Sequence, residues 1–373
     1  IGVTTVILMA MIINGLNQSF QGQISSLGSG TLYIQRFPWI PEGDFFSYRN
    51  RPYITLKDYE AVRQSSKLAE VVSLWVYTQR SVSFGAESLE NVIIMGTDEA
   101  YIEAADVLPE VGRFISKVDA EANRSVAVIG ADVAEKLLGQ YNPIGQSIRV
   151  QAYKFKVIGV LEKRGTSFGQ SMDNQVIVPL GALMKHFGRR RDLGIIVKAT
   201  DPERLEELKD ELTGILRRSR RLAADQENNF SINEQEQLMR FYTTMTSTVY
   251  AAGFIIGGLS LLVGGIGIMN IMLVSVTERT HEIGIRKALG ARRGQILSQF
   301  LFEAVLICSF GGLVGIFAAW GCGKIISKWL PSVLTPDIAI VGILFAALIG
   351  IFFGLFPAAK AARLDPVVAL RQE

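Results

Sequence analysis

The segment 278–290 gathers the chain's most ordered set of charged residues. Glu278, Arg279 and Glu282 come first, Arg286 and Lys287 follow, and Gly290 closes the run. Acids early and bases late is the order a helix dipole favours, and a glycine just beyond is a natural helix stop. Glu282 and Arg286 stand four apart in the orientation that favours an ion pair. Ile283, Ile285, Ala288 and Leu289 supply apolar positions. Gly284 costs a helix about 1 kcal/mol relative to alanine, which points to close approach by something. A short, charged, partly apolar helix with no evident core of its own fits a docking element for a soluble partner. It also fits an interhelical loop held at lipid headgroups by its basic charge.

No other grouping suggests catalysis. The two histidines, His186 and His281, belong to no cluster with metal-ligand spacing. No G-x-x-x-x-G-K-[ST] loop is present to cradle the phosphates of ATP. Gly265 and Gly267 form half a dinucleotide fingerprint, but they sit in an apolar run where close helix packing explains them. The sequence therefore predicts no catalytic residue, no metal ligand and no cofactor in this chain.

The elements around the charged segment are apolar and long. Hydrophobic residues make up 49% of the chain and charged residues 20%, with a mean hydropathy of +0.28. Their distribution is uneven. No charge occurs in the 37 residues of 241–277, the 20 of 304–323 or the 22 of 338–359. About 20 mostly apolar residues cross a bilayer core as a helix. Residues 1–13 are apolar but short, and are expected to be the outer part of a first span whose cytoplasmic start precedes the chain. The small-xxx-small pairs Gly253/Gly257, Gly311/Gly315 and Gly350/Gly354 predict close helix contacts in lipid. No span has an ionisable residue at its centre, unlike many ion-coupled transporters. Glu303, near one end of the third span, is expected to pair with the basic loop. Cys308 and Cys322 lie about 21 Å apart along one helix, too far for a disulfide.

Positive-inside bias sets the orientation. Residues 278–294 carry five basic and two acidic side chains, a net of +3, and the tail from 358 carries three against two, a net of +1. Both belong in the cytoplasm. The connection 324–337, with Pro331 and Pro336, and the large segment from about 20 to 240 then lie outside. The predicted fold is an α-helical membrane protein with four transmembrane helices and a large extracytoplasmic α/β domain between helices 1 and 2.

Within the outer segment, 31–35, 70–76, 194–198 and 230–232 read as strands, and 56–66 and 202–222 as helices. Two separated β-α-β halves suggest a split α/β subdomain. Between them, strands at 125–129, 155–161 and 175–178, with helices near 100–106 and 131–138, suggest an inserted strand-rich part. The expected divisions are 1–27 (first span and stalk), 28–232 (outer domain, split as 28–95 with 180–232 around 96–179) and 233–276 (stalk and second span). They continue as 277–294 (cytoplasmic helix), 295–326 and 337–358 (third and fourth spans) and 359–373 (tail). Residues 14–27 and 233–247 read as helical stalks or as flexible linkers, and their lack of proline favours stalks.

From Glu278 to Ala291 the sequence ERTHEIGIRKALGA resembles the ERxxEIGIRKAxGA coupling segment of MacB-like ABC transporter permeases, relatives of FtsX and the lipoprotein-releasing permeases. MGT at 95–97, GRF at 112–114, VAVIG at 126–130, PIG at 143–145, VIGV at 157–160 and PAAKAARLDP at 357–366 extend the likeness across the chain. The resemblance implies that Glu278, Arg279, Glu282, Ile283, Gly284, Ile285, Arg286, Lys287, Leu289 and Gly290 couple the membrane part to an ATPase. It implies a homodimer in the cytoplasmic (inner) membrane, bound to ABC ATPase subunits that hold the ATP and Mg. Their closure would move the outer domains by mechanotransmission, so cargo need not cross the bilayer through the permease. In efflux members a periplasmic adaptor and an outer-membrane channel complete the path. Membrane lipids are expected contacts and nucleic acid is not. The family prototype carries its ATPase at the N-terminus of the same chain, so here either a separate ATPase subunit exists or the chain is truncated, and a separate subunit is the favoured expectation. The leading function is efflux or export of antibiotics, peptides or lipids. A lipoprotein-releasing permease or an FtsX-like activator of cell-wall hydrolases are the alternatives, the latter disfavoured by the size of the outer segment.

Overall fold

In the computed structural model the described residues are 2–25, 30–41, 43, 46–167, 170–188, 190–327 and 332–371. Leu27, at the end of the first expected stalk, Pro331 and the last residues of the tail lie outside them. The chain divides into two units, residues 1–22 with 242–373, and residues 23–241.

The chain enters on helix α1 (Gly2–Ser25), longer than the apolar run 1–13 alone suggests. The second unit then opens with β1 (Thr31–Gln35), which buries Leu32 and Ile34 in the alternation of a strand packed on one face. Helices α2 (Phe46–Arg49) and α3 (Leu56–Ser65) follow. Thr55 and Asp58 form a reciprocal capping box that starts α3, matching the T-x-x-D spacing.

Strands β2 (Ala69–Phe84) and β3 (Glu87–Thr97) make a long hairpin. Gly85 stands at φ +60° in its two-residue turn, a conformation glycine adopts without strain. Shorter elements come next: α4 (Tyr101–Ala104), β4 (Pro109–Gly112), α5 (Lys117–Glu121), β5 (Val126–Ile129) and α6 (Ala131–Val133). A π-helical turn at Ala134–Leu138 extends α6. The strands β6 (Ser147–Val150), β7 (Tyr153–Leu161), β8 (Thr166–Ser167), β9 (Gln170–Ser171) and β10 (Gln175–Pro179) lead to α7 (Leu180–Phe187). The unit closes with β11 (Gly194–Ala199), α8 (Leu205–Ser219) and β12 (Ser231–Glu234).

One ten-stranded sheet runs β12-β1-β11-β2-β3-β10-β5-β7-β4, with β6 bridging β2 and β7. The pairs β3/β10 and β5/β7 are parallel and the others antiparallel. Strands from both expected parts of the outer segment thus lie in one sheet, because β2 pairs with β11 and also with β6, and β3 pairs with β10. Helix α8 buries Leu208, Leu212, Ile215 and Leu216, a single 3.6-period face, against the shared core that includes Leu32, Ile34 and Val62. Arg220 and Asp58, both nearly inaccessible, pair at 3.1 Å, with Ser219 also donating to Asp58.

Helix α9 (Gln235–Glu278) is one uninterrupted helix of 44 residues. At 1.5 Å per residue it is about 66 Å long, roughly twice a bilayer core. At its start, buried Glu234 receives Lys209 at 3.0 Å and Arg240 at 3.2 Å. Then come α10 (Thr280–Ala288), α11 (Arg293–Ile326), α12 (Pro336–Arg363) and α13 (Pro366–Arg371). By length and composition, four helices among the described residues could cross a membrane: α1, α9, α11 and α12.

Candidate coupling segment and the helices that hold it

Helix α9 ends at Glu278, and Arg279 leaves helical geometry at φ −98° and ψ 19° before α10 begins. The far end is a Schellman stop. Ala291 donates to the Arg286 carbonyl at 3.0 Å, Gly290 to Lys287 at 3.0 Å, and Gly290 takes φ +95°. The expected helix and its glycine terminator are therefore present.

The apolar residues of the segment divide into two faces. Ile283 is 1% exposed and packs with Met272, Val276, Ile296, Phe300, Ala358 and Ala361. This core has no local sequence signal, because its members come from α9, α11 and α12. Gly284 is buried beside Ile283. On the opposite side Ile285 is 42% and Leu289 84% exposed, next to the half-exposed carboxylate of Glu282. His281 is also exposed, so 281, 285 and 289 form one outward stripe, and Glu278 is exposed at the end of α9.

Polar contacts fix this orientation. Lys287 donates its ammonium to the carbonyls of Ala362 at 2.7 Å and Leu364 at 2.6 Å, capping the end of α12. Burial lowers the Lys287 pKa, Arg293 lowers it further, and Asp365 opposes them. Arg286 donates to Gln299 at 2.8 Å and lies 3.9 Å from Glu282. Arg279 reaches Glu303 at 3.5 Å, which gives Glu303 a partner on the basic segment. Helix α13 packs alongside α10, a neighbour that the tail sequence did not reveal.

Glycines set the spacing of the bundle. A Cβ on Gly253 would strike the Met9 sulfur, and one on Gly257 would strike Val6, so α1 and α9 meet there. Gly315 touches Thr4 and Val3, while Gly350 and Gly354 lie against Ala304 and Cys308. Gly311 differs, since no atom of the described residues lies within 4 Å of its Cβ position. Gly342 against Ile7, Gly323 against Met11 and Gly265 against Phe353 are further close approaches that pair spacing did not single out. Farther along, the rings of Phe20 and Tyr242 stack with centroids 3.8 Å apart, holding α1 beside α9. No group of three or more metal-ligating side chains occurs among the described residues.

Residues 1–215 match the MacB-like periplasmic core domain, and residues 254–366 match the FtsX-like permease C-terminal domain. A macrolide export ATP-binding/permease protein MacB of Bdellovibrio bacteriovorus is 36% identical over 377 residues, covering 100% of this chain and 58% of the relative. A pyoverdine export ATP-binding/permease protein PvdT of Pseudomonas savastanoi pv. phaseolicola is 35% identical over 387 residues, covering 100% of this chain and 56% of the relative. The chain thus spans a little under three fifths of the relatives it matches. The periplasmic region of MacB from Actinobacillus actinomycetemcomitans is similar at TM-score 0.49 and 18% identity, covering 58% of this chain and 94% of that one. The chain belongs to the MacB-like permease family, with an FtsX-like C-terminal part.

Proposed function

We propose that this chain is the permease component of an ABC export machine, driven by a partner ATPase that docks on α10. One observation carries the reading. Ile283 and Lys287 lock α10 to the bundle, while Glu282, Ile285 and Leu289 stay outward. A helix anchored on one face and exposed on the other transmits a push rather than absorbing it. The basic excess of 278–294 supports a cytoplasmic location for it, in a chain that spans the inner membrane four times. The match to a periplasmic core domain supports placing 23–241 on the outer side.

In this reading ATP and Mg belong to the partner, and two copies of the chain form the working permease. Glu278, Arg279, Arg286 and Gly290 shape the docking element around its apolar contacts. Movement passes along α1 and α9 to the outer domain, which divides into a porter-like part and an inserted part. A periplasmic adaptor and an outer-membrane channel carry cargo onward. The names of the relatives, macrolide and pyoverdine exporters, support an amphipathic cargo: an antibiotic, a peptide or a lipid. The test is reconstitution in nanodiscs with the ATPase that co-purifies. Ile285→Glu combined with Leu289→Glu should reduce stimulated ATP hydrolysis about tenfold, as loss of central contact residues does. Circular dichroism should remain unchanged. An unaltered hydrolysis rate would overturn the reading.

A further inference from the structure

Strand β11 stops at Gly194, opposite Trp75, while β2 runs on to Phe84 and, among the described residues, regains a neighbour on that edge only where β6 joins it at Val82. The sheet is open in between. Two adjoining cavities of about 470 and 480 Å³ lie at this opening and share Tyr53, Arg190, Arg191 and Leu193 as walls. Either volume suits a small molecule, for which pockets of about 300–1,000 Å³ are usual.

The lining has an unusual charge balance. Among the described residues, Arg36, Arg51, Arg190 and Arg191 face one lining carboxylate, Asp192. Three of these guanidinium groups, those of Arg36, Arg51 and Arg191, are held by neutral oxygens. Arg36 donates to the Arg49 carbonyl, Arg51 to the Arg36 carbonyl at 3.2 Å and Ser231 at 2.8 Å, and Arg191 to the carbonyls of Gly188 and Phe187. Such bonds orient the donors without cancelling their charge. Asp192 turns one oxygen to the Ile54 amide at 3.0 Å, and Glu227 acts on Arg51 only electrostatically. The Arg36 Nε is buried with no hydrogen-bond partner among the described residues.

Aromatic rings complete the cleft. The Arg36 guanidinium lies 4.7 Å from the Phe37 ring centroid and 5.1 Å from that of Tyr53. Trp75 and Tyr77, on one face of β2, stack at 5.6 Å with planes 17° apart, and Tyr77 is exposed. Guanidinium groups bind carboxylate or phosphate by charge-assisted, often bidentate, hydrogen bonds. Ring faces bind flat apolar bodies. An inorganic anion leaves the rings unused, and a neutral hydrocarbon leaves the charges unused.

We propose that this cleft binds an anionic amphiphile: a carboxylate or phosphate ester carried on a planar aromatic body. That the occupant is cargo rests on the export reading, but binding itself does not. The test therefore uses the full chain in zwitterionic nanodiscs, without ATPase or ATP. Equilibrium dialysis with labelled 1-naphthoate and 1-naphthyl phosphate should show saturable binding, and 1-naphthalenemethanol should bind about tenfold more weakly. Arg190 has no hydrogen bond or ion pair among the described residues, so Arg190→Glu should leave the fold intact and weaken naphthoate binding about tenfold or more. Tyr77→Ser should also weaken it, and Lys117→Glu, on the surface of α5, should not. Equal binding of naphthoate and the alcohol, or no effect of Arg190→Glu, would overturn the proposal. So would displacement by tetraglutamate at concentrations below those of naphthoate, which would assign the cleft to an acidic protein segment. Naphthoate binding without ATP-driven transport would leave the site standing and count against export alone.

Discussion

The ammonium of Lys287 donates to the carbonyl of Ala362 at 2.7 Å across 75 residues of sequence, joining α10 to the last turn of α12. Terminal helix carbonyls have no partner in their own helix, so this lysine performs the duty of a cap. Lys287→Met keeps the aliphatic stem and removes the donors. It should lower stability by about 1–3 kcal/mol, the cost of leaving buried acceptors unsatisfied. Thermal unfolding in detergent checks this, and a melt identical to wild type would remove Lys287 from the set of anchors.

Gly257 and Gly311 look alike in sequence and differ in surroundings. Gly257→Leu should push α1 from α9 through Val6 and cost about 1–3 kcal/mol by overpacking. Gly311→Leu should leave the unfolding of a single chain unchanged, because its Cβ position is open. Parallel melts at concentrations that keep the chain monomeric separate the two, and equal losses would contradict this packing.

Acid should loosen the region around α5. Asp119 is fully buried and its pKa is held well below the usual value, chiefly by the hydrogen bond from Arg113, with Ser116 adding to it against burial. A carboxylate with a depressed folded-state pKa contributes stability that is complete above its unfolded value, about 3.9, and is lost as pH falls through the folded value. Wild-type melting temperature should therefore begin to fall below about pH 4. Asp119→Asn should melt lower at pH 7, by about 2 kcal/mol, with a flatter acid limb. Parallel acid limbs in the two proteins would show that other groups govern the transition.

Arg220 and Asp58 form the least accessible ion pair among the described residues, and Arg220 also donates to the Tyr53 and Asn229 carbonyls. Arg220→Ala strands a buried carboxylate and should cost about 3–5 kcal/mol. Urea unfolding followed by Trp fluorescence measures this. A loss near zero would mean that water replaces the guanidinium.

Legibility in the sequence followed the range of the interaction. In β1 Leu32 and Ile34 stand two apart on the buried face, and α10 carries its charge order and Gly290 stop, so both could be read locally. The burial of Ile283 and the cap made by Lys287 depend on residues from three other helices. No local pattern encodes them. Strand β3 went unread because Glu87, Glu90 and Asn91 break up its first half, with Asn91 at φ +56°. Glycine spacing marked a helix face but not its neighbour, hence the difference between Gly311 and Gly342. The basic cleft was invisible because Arg36, Arg51 and Arg190 are brought together only by the pairing of β1 with β11.

The β2–β3 hairpin has a practical consequence for dissecting this protein. Its strands hydrogen-bond to β11 at one end and to β6 and β10 farther along, so strands from both expected parts of this domain share the same two strands as backbone. Excising either part would expose raw strand edges ready to recruit other chains. Soluble fragments should keep residues 31–234 whole, and inserted tags belong at the hairpin tip beside Gly85, where a longer loop breaks no strand pairing.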